Sequence, residues 1–313
     1  MPAELSDNVL EVFHRCTRDW FQQAFERPTR VQTAAWPALA SGQHALLLAP
    51  TGSGKTLAAF LSSIDRLFFQ AVDVADNVAP TKSGVRVVYI SPLKALGGDV
   101  DRNLRAPLAG LRAYAERENI LHQVPTVAVR SGDTTQRERA RILRDPPDIL
   151  ITTPESLYLM LTSRAREILA SVETVIVDEI HAMAGTKRGS HLFVSLERLE
   201  RVCHRRNIEE NDLEGSTFQR IGLSATQRPL QEIAELLGGG IADASLDVEV
   251  KRRDVCIIDA SERRRFDLTI ETPAEDRRSH PLRAMMSKRR NRLRCRLQWC
   301  LLCGWRFILG WSS

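Results

Sequence analysis

Two short stretches carry side chains whose type and spacing suit work on a phosphorylated substrate. The first, Ala49-Pro50-Thr51-Gly52-Ser53-Gly54-Lys55-Thr56, follows the apolar run Leu46-Leu47-Leu48 and reads A-x-x-x-x-G-K-T. Gly52 and Gly54 allow backbone to approach a ligand closely. The N–H groups of Thr51, Gly52, Ser53 and Gly54, together with those of a helix opening near Lys55, would point at phosphate oxygens. The Lys55 ammonium suits the β and γ phosphates and the Thr56 hydroxyl suits Mg2+, which makes ATP with Mg2+ the expected ligand. The second stretch, Val175-Ile176-Val177-Asp178-Glu179-Ile180-His181, is an apolar run that ends in two adjacent acids. Asp178 is suited to hold Mg2+ through water, and Glu179 to orient and deprotonate an attacking water. Each stretch has a plainer reading, a Gly-rich turn for one and a solvated strand end for the other. Their presence in one chain favours the catalytic reading.

Such side chains need a scaffold that brings distant loops together. Strand-like runs fall at 45–48, 85–90, 126–129, 148–152, 174–177 and 220–223, several rich in Val and Ile with no polar interruption, and two more follow a Gly-rich break at 238–240, at 246–250 and 255–258. Unbroken apolar strands are covered on both faces. Helical spacing lies between them: 57–61 continues to Ile64, Leu67 and Phe68, and Leu192, Leu196 and Leu199 repeat in a charged background. The alternation predicts an α/β fold of the P-loop NTPase (RecA-like) kind, with a doubly wound, mainly parallel sheet and helices on both faces. Ligands bind such sheets beyond the carboxyl ends of the strands, where every stretch named here falls.

With its order and context, the set resembles the superfamily 2 helicases. Asp178-Glu179-Ile180-His181 is a DExH box, and Ser224-Ala225-Thr226 at the next strand end matches the third motif of that family. The resemblance implies that Ser224 and Thr226, flanking Ala225, couple the ATP site through His181 to nucleic-acid binding. Phe25-Glu26-Arg27-Pro28-Thr29-Arg30-Val31-Gln32 resembles the Q motif. Gln32 is the candidate for base selection, because an amide both donates to and accepts from an adenine edge, and Phe25 is a candidate stacking ring. Ser91-Pro92-Leu93-Lys94 resembles motif Ia and Thr152-Thr153-Pro154-Glu155-Ser156 motif Ib. Hydroxyls and a lysine at helix starts suit phosphate oxygens and fix register without reading sequence. Ser91, Pro92, Lys94, Thr153, Pro154 and Glu155 are therefore the expected nucleic-acid contacts, with 130–134 on the same face. Residues 178–191 and 222–230 further resemble the large helicase-related (Lhr) group. That likeness, over roughly residues 5–276, implies 3′ to 5′ translocation on single strands, unwinding of DNA or RNA–DNA hybrids, and a link to DNA repair.

Composition limits the remaining classes. An apolar fraction of 43% in 313 residues supports a packed core and excludes a disordered chain. No run of about 18 apolar residues is present, so no membrane partner is expected. The first residues lack the basic and apolar regions of a signal peptide, so a cytoplasmic protein is expected. The net charge of +5 is uneven: residues 277–313 hold ten Arg or Lys and no Asp or Glu, which leaves −5 on residues 1–276. Global charge thus carries no nucleic-acid signal for the body of the chain. Cys16, Cys203 and Cys256 are scattered and expected to be buried and reduced, whereas Cys295, Cys300 and Cys303 crowd near Trp299, Trp305 and Trp311.

The expected organisation is a helical lead-in over 1–30, an ATP-binding domain over 31–240, the start of a linker over 241–276 and an atypical tail over 277–313. The tail reads as a frameshifted or truncated product, as a basic arm with stacking tryptophans, or as a zinc site without an evident fourth ligand. Superfamily 2 motors place ATP between two RecA-like domains, and the sequence holds no Q-x-x-G-R-x-x-R run of the second. The leading expectation is the ATP-binding part of a helicase, not competent to unwind alone. The alternatives are a non-catalytic ATP- and nucleic-acid-binding remnant and another P-loop ATPase serving transport or packaging. Oligomeric state is left open.

Overall fold

The strand-like runs become neighbours in one sheet in the computed structural model, which describes residues 9–69, 84–92, 94–209, 218–225, 229–241 and 251–261. The strands are β1 (His44–Leu48), β2 (Val87–Ile90), β3 (Val127–Arg130), β4 (Ile149–Thr152), β5 (Thr174–Val177), β6 (Gln219–Ser224), β7 (Gly240–Ile241), β8 (Lys251–Arg252) and β9 (Val255–Asp259). The helices are α1 (Arg15–Ala24), α2 (Arg30–Ala40), α3 (Lys55–Phe69), α4 (Lys94–Arg117), α5 (Gln136–Arg144), α6 (Pro154–Leu161), α7 (Ile180–Met183), α8 (Lys187–Glu209) and α9 (Leu230–Gly238). Short 3-10 turns cover Val9–Val12 and Arg164–Leu169. All of these lie within the compact unit Met1–Glu262.

Seven strands form a sheet in the order β3-β4-β2-β5-β6-β1-β9, with every pairing parallel. Parallel neighbours need crossovers, and helices supply them on both faces. Ala45 and Leu47 face a cluster with Trp36, Phe60, Phe68 and Leu111 from α2, α3 and α4. Leu46 and Leu48 face the opposite cluster, with Leu157, Leu192, Leu196 and Leu237 from α6, α8 and α9. Both faces of β1 are fully buried from Ala45 to Leu48, so these four positions are all apolar rather than alternating. Burying each of those leucines contributes about 1.5–3 kcal/mol relative to exposure.

The register brings the carboxyl ends to one edge, with β6 running two residues past the end of β5. Arg130 pairs with Thr152, Thr152 with Ile90, Ile90 with Val177, and Leu48 with Ser224. The loops that follow therefore open on one edge.

The lead-in is not separate from the sheet domain. Phe13, Cys16, Trp20 and Phe21 join the same buried cluster as Val31 and Trp36. At the other end the sheet reaches past residue 240, for residues 255–259, expected within a linker, form edge strand β9 against β1. The glycine run at 238–240 permits that return. A Cβ on Gly238 would lie 2.8 Å from the Arg253 carbonyl oxygen, and Gly239 adopts φ +64°. Cys16 and Cys203 are buried, whereas Cys256 is exposed on the edge strand. The strand-like run at 246–250, Leu93, Thr226 and the tail at 277–313 lie outside the described residues. Among the described residues no helix is long and apolar enough to cross a membrane.

Candidate nucleotide site and nucleic-acid face

The turn after β1 is built as the glycines require. Gly52 and Gly54 adopt φ +78° and +85°, in the left-handed region that favours glycine. Thr51 and Gly52 are exposed, Ser53 and Gly54 half-buried, and α3 opens at Lys55 with Thr56 in its first turn. The Lys55 ammonium turns back into the loop and donates to the carbonyl oxygens of Ala49 (2.5 Å) and Pro50 (2.8 Å). Burial pulls its pKa below the ordinary lysine range, and the charges of Glu179 and Asp178 oppose that shift. The loop lysine and the acid pair thus share one electrostatic neighbourhood, although 123 residues separate Lys55 from Asp178 in sequence.

Sheet order explains that proximity. β6 runs between β5 and β1, so Asp178 and Glu179, Ser224 and Ala225, and the phosphate loop follow three adjacent strands. Asp178 Oδ1 accepts the Glu179 N–H at 2.9 Å, and Oδ2 accepts the hydroxyl of Tyr89 on β2. Glu179 itself sits at φ +46°, ψ +41°. A left-handed non-glycine residue costs about 1–2 kcal/mol and marks a constrained site.

His181 links the acid to β6. Its Nδ1 lies 3.3 Å from both the Ala225 N–H and the Ser224 hydroxyl. A backbone N–H only donates, so Nδ1 accepts and the ring proton sits on Nε2. Nε2 lies 3.3 Å from Glu179 Oε2. Ser224 in turn donates to the Ala225 carbonyl at 2.7 Å. His181 therefore bonds the Ser224-Ala225 segment on one side and faces the Glu179 carboxylate on the other.

Gln32 also reaches the phosphate loop. It is 3% exposed; its Oε1 accepts the Thr29 N–H at 2.9 Å at the start of α2, and its Nε2 donates to the Gly54 carbonyl at 3.4 Å. The amide thus braces the loop, a contact that the motif alone did not reveal. Phe25, 39% exposed, tilts against Phe21 with ring centroids 4.7 Å apart.

The other half of the edge gathers the loops expected to meet nucleic acid. β3, β4 and β2 are adjacent, and their ends are tied together: Thr152 Oγ1 donates to the Arg130 carbonyl (2.7 Å) and the Ser91 N–H to the Thr152 carbonyl (3.0 Å). Ser91 and Pro92 are buried, and Lys94 opens α4. Thr153 caps α6, accepting from the Ser156 N–H, with Pro154 in the first turn. Glu155 holds Arg188 through two bonds of 2.5 and 3.0 Å, and that contact draws its carboxyl below the usual carboxylate range. The pair pins α6 to α8 and offsets an acid on this face.

Among the described residues no group of three or more His, Cys, Asp or Glu side chains could hold a metal by itself. A first-turn threonine and a carboxylate from a neighbouring strand end suit Mg2+, which keeps waters and shares substrate phosphates.

Comparison with known proteins agrees with this arrangement. Residues 29–234 match the DEAD/DEAH box helicase family. The chain is 52% identical to the Lhr helicase/uracil glycosylase of Escherichia coli over 229 residues, 73% of this chain and 14% of that protein. It is 48% identical to an Lhr helicase of Mycolicibacterium smegmatis over 264 residues, 84% of this chain and 16% of that protein. The solved structure of Mycobacterium smegmatis helicase Lhr bound to ssDNA and AMP-PNP superposes with a TM-score of 0.70 at 48% identity, covering 83% of this chain and 29% of that one. The chain therefore spans a small part of the length of these relatives. It belongs to the DEAD/DEAH box helicase family, and within that family it resembles the Lhr helicases.

Proposed function

We propose that residues 9–261 form the ATP-binding part of a nucleic-acid helicase motor. The observation that carries this reading is the convergence of Lys55, Asp178, Glu179 and His181 at one edge of a parallel sheet, beside a loop with two left-handed glycines. The N–H groups of Thr51 to Gly54 and the opening turn of α3 would receive the phosphates, with Lys55 exchanging its carbonyl partners for phosphate oxygens. Gln32 and Phe25 would receive the base. Thr56 and, through water, Asp178 would hold Mg2+, which neutralises charge on the β and γ phosphates. Glu179 would take the proton of the attacking water. His181 would keep that carboxylate oriented and report its position to Ser224 and Ala225 at the end of β6.

Single-stranded nucleic acid would run across the ends of β3, β4 and β2, contacting Ser91, Pro92, Lys94, Thr153, Pro154 and Glu155 through its backbone. The relative whose structure was solved with ssDNA and AMP-PNP supports both ligands; an RNA–DNA hybrid is carried by family resemblance. We infer a cytoplasmic setting, where ATP and nucleic acid are both available.

ATP turnover by the 313-residue polypeptide, measured with and without single-stranded DNA or RNA, tests the reading. Slow hydrolysis by residues 9–261 is expected, because superfamily 2 motors place ATP between two RecA-like domains and these residues supply one. Single strands should bind in competition with one another, and duplex separation should be absent. Robust unwinding by this polypeptide would contradict the expectation that unwinding needs a second RecA-like domain. Absence of any nucleic-acid binding would favour a different P-loop ATPase.

A further inference from the structure

We propose that Tyr89 is a positioning residue for Asp178 and, through it, for the Mg2+ that accompanies the nucleotide. The proposal rests on the nucleotide-site reading above.

Tyr89 breaks the chemistry of its own strand. Val87, Val88 and Ile90 are aliphatic, and all four residues of β2 are buried. A phenylalanine would satisfy that core equally well, and a buried phenol hydroxyl is costly unless it has a partner. Here the partner is the carboxylate of Asp178, on the adjacent strand end. An ionised carboxylate only accepts, so the phenol donates.

The bond restrains a group that would otherwise turn freely. The terminal torsion of an aspartate is broad. With Oδ2 on the Tyr89 hydroxyl and Oδ1 on the Glu179 N–H, both oxygens of Asp178 are engaged and the carboxylate plane is set. The ring is fixed in turn: it is fully buried and stacks on Phe60, with centroids 5.1 Å apart and an interplanar angle of 23°. Phe60 belongs to α3, the helix whose first turn carries Lys55 and Thr56. Tyr89 is thus a packed strut between the helix that bears Thr56 and the acid expected to share the same cation. Partners that orient a metal-ligating carboxylate without touching the metal tune its affinity.

The test uses the full chain with a fluorescent ATP analogue as probe, once in EDTA and once across a Mg2+ titration. Tyr89→Phe should keep the thermal midpoint and the metal-free affinity. It should raise the Mg2+ concentration that half-saturates the metal-dependent gain on the order of 10-fold. In an Asp178→Asn background, Tyr89→Phe should add nothing. An unchanged Mg2+ requirement in Tyr89→Phe, with Lys55→Ala still impaired in EDTA, would overturn the strut and leave the nucleotide site standing. A matched loss of midpoint and metal-free affinity would also overturn it, by showing a packing role alone. Lys55→Ala binding as well as the parent in EDTA would overturn the nucleotide site and the strut with it.

Discussion

The Ala225 N–H donates to Nδ1 of His181, and that one bond decides which nitrogen of the ring faces Glu179. The donor comes from the backbone after β6 and the ring from α7 after β5, so the tautomer is set by sheet pairing rather than by sequence neighbours. His181→Ala removes the Nε2–H that faces Glu179 and leaves the Ala225 N–H without its acceptor. ATP hydrolysis is expected to fall about tenfold, the scale of one lost hydrogen bond, with nucleotide affinity retained. Glu179→Gln should fall much further, on the order of 10² to 10⁴, because it removes the base itself. Single-turnover hydrolysis beside equilibrium binding separates the two effects. Equal rates in His181→Ala and the parent would contradict the linkage.

Gly54→Ala probes the contact between the phosphate loop and Gln32. An added Cβ would lie 2.7 Å from Gln32 Nε2, at a backbone φ of +85°. The left-handed backbone alone costs about 1–2 kcal/mol for a non-glycine residue, and the glutamine must shift as well. Nucleotide affinity is expected to drop more in Gly54→Ala than in Gln32→Ala, which keeps the turn geometry. The reverse order in calorimetric titrations would show that the loop does not depend on its glycine.

His44 makes stability depend on pH away from the site. Burial, then the charges of Arg220 and Arg253, lower its pKa from 6.5 to about 4. Its Nδ1 accepts the Arg220 N–H at 3.0 Å, which requires the unprotonated nitrogen. Below pH 6.5 the unfolded chain takes up a proton that the folded chain refuses. Stability from this group is therefore complete above pH 6.5 and is lost as pH falls toward 4, by up to about 3 kcal/mol. Urea midpoints across that window should decline, and less so in His44→Gln. A decline of the same size in both would assign the effect to other groups.

Much of the candidate site is legible in the sequence, for a local reason. The phosphate loop, the DExH box and Ser224-Ala225 are short motifs at strand ends, and the strands were visible as unbroken apolar runs. What escaped reading depends on the sheet order. Tyr89 and Asp178 are 89 residues apart, and Gln32 and Gly54 are 22 apart. The available signals were weak: one tyrosine in an aliphatic run, and one arginine, Arg220, inside an apolar strand. The strand-like run at 255–258 is legible as a strand, but its pairing with β1 is not, because it depends on a close return of the chain past Gly238 and Arg253.

Arg220 marks a buried charge network that holds that return in place. It is 1% exposed and bonds Glu197 and Glu200 of α8 and the Leu237 carbonyl of α9, while Arg253 bonds Glu200 at 2.7 Å. Removing one partner of a buried pair strands the others in a low-dielectric setting. Arg220→Met is expected to destabilise the fold by about 3–5 kcal/mol, read from chemical denaturation. A change below about 1 kcal/mol, the level of a surface ion pair, would show that the network is solvated.

The central claim is a nucleotide site built on Lys55 and the acids beyond β5. Calorimetric titration of ATP with Mg2+ into the 313-residue chain and into Lys55→Ala tests it most directly. Binding of one ATP by the parent and a loss on the order of 10- to 100-fold in Lys55→Ala are expected, the scale of a charge-assisted contact. Equal affinities in the two proteins would contradict the account.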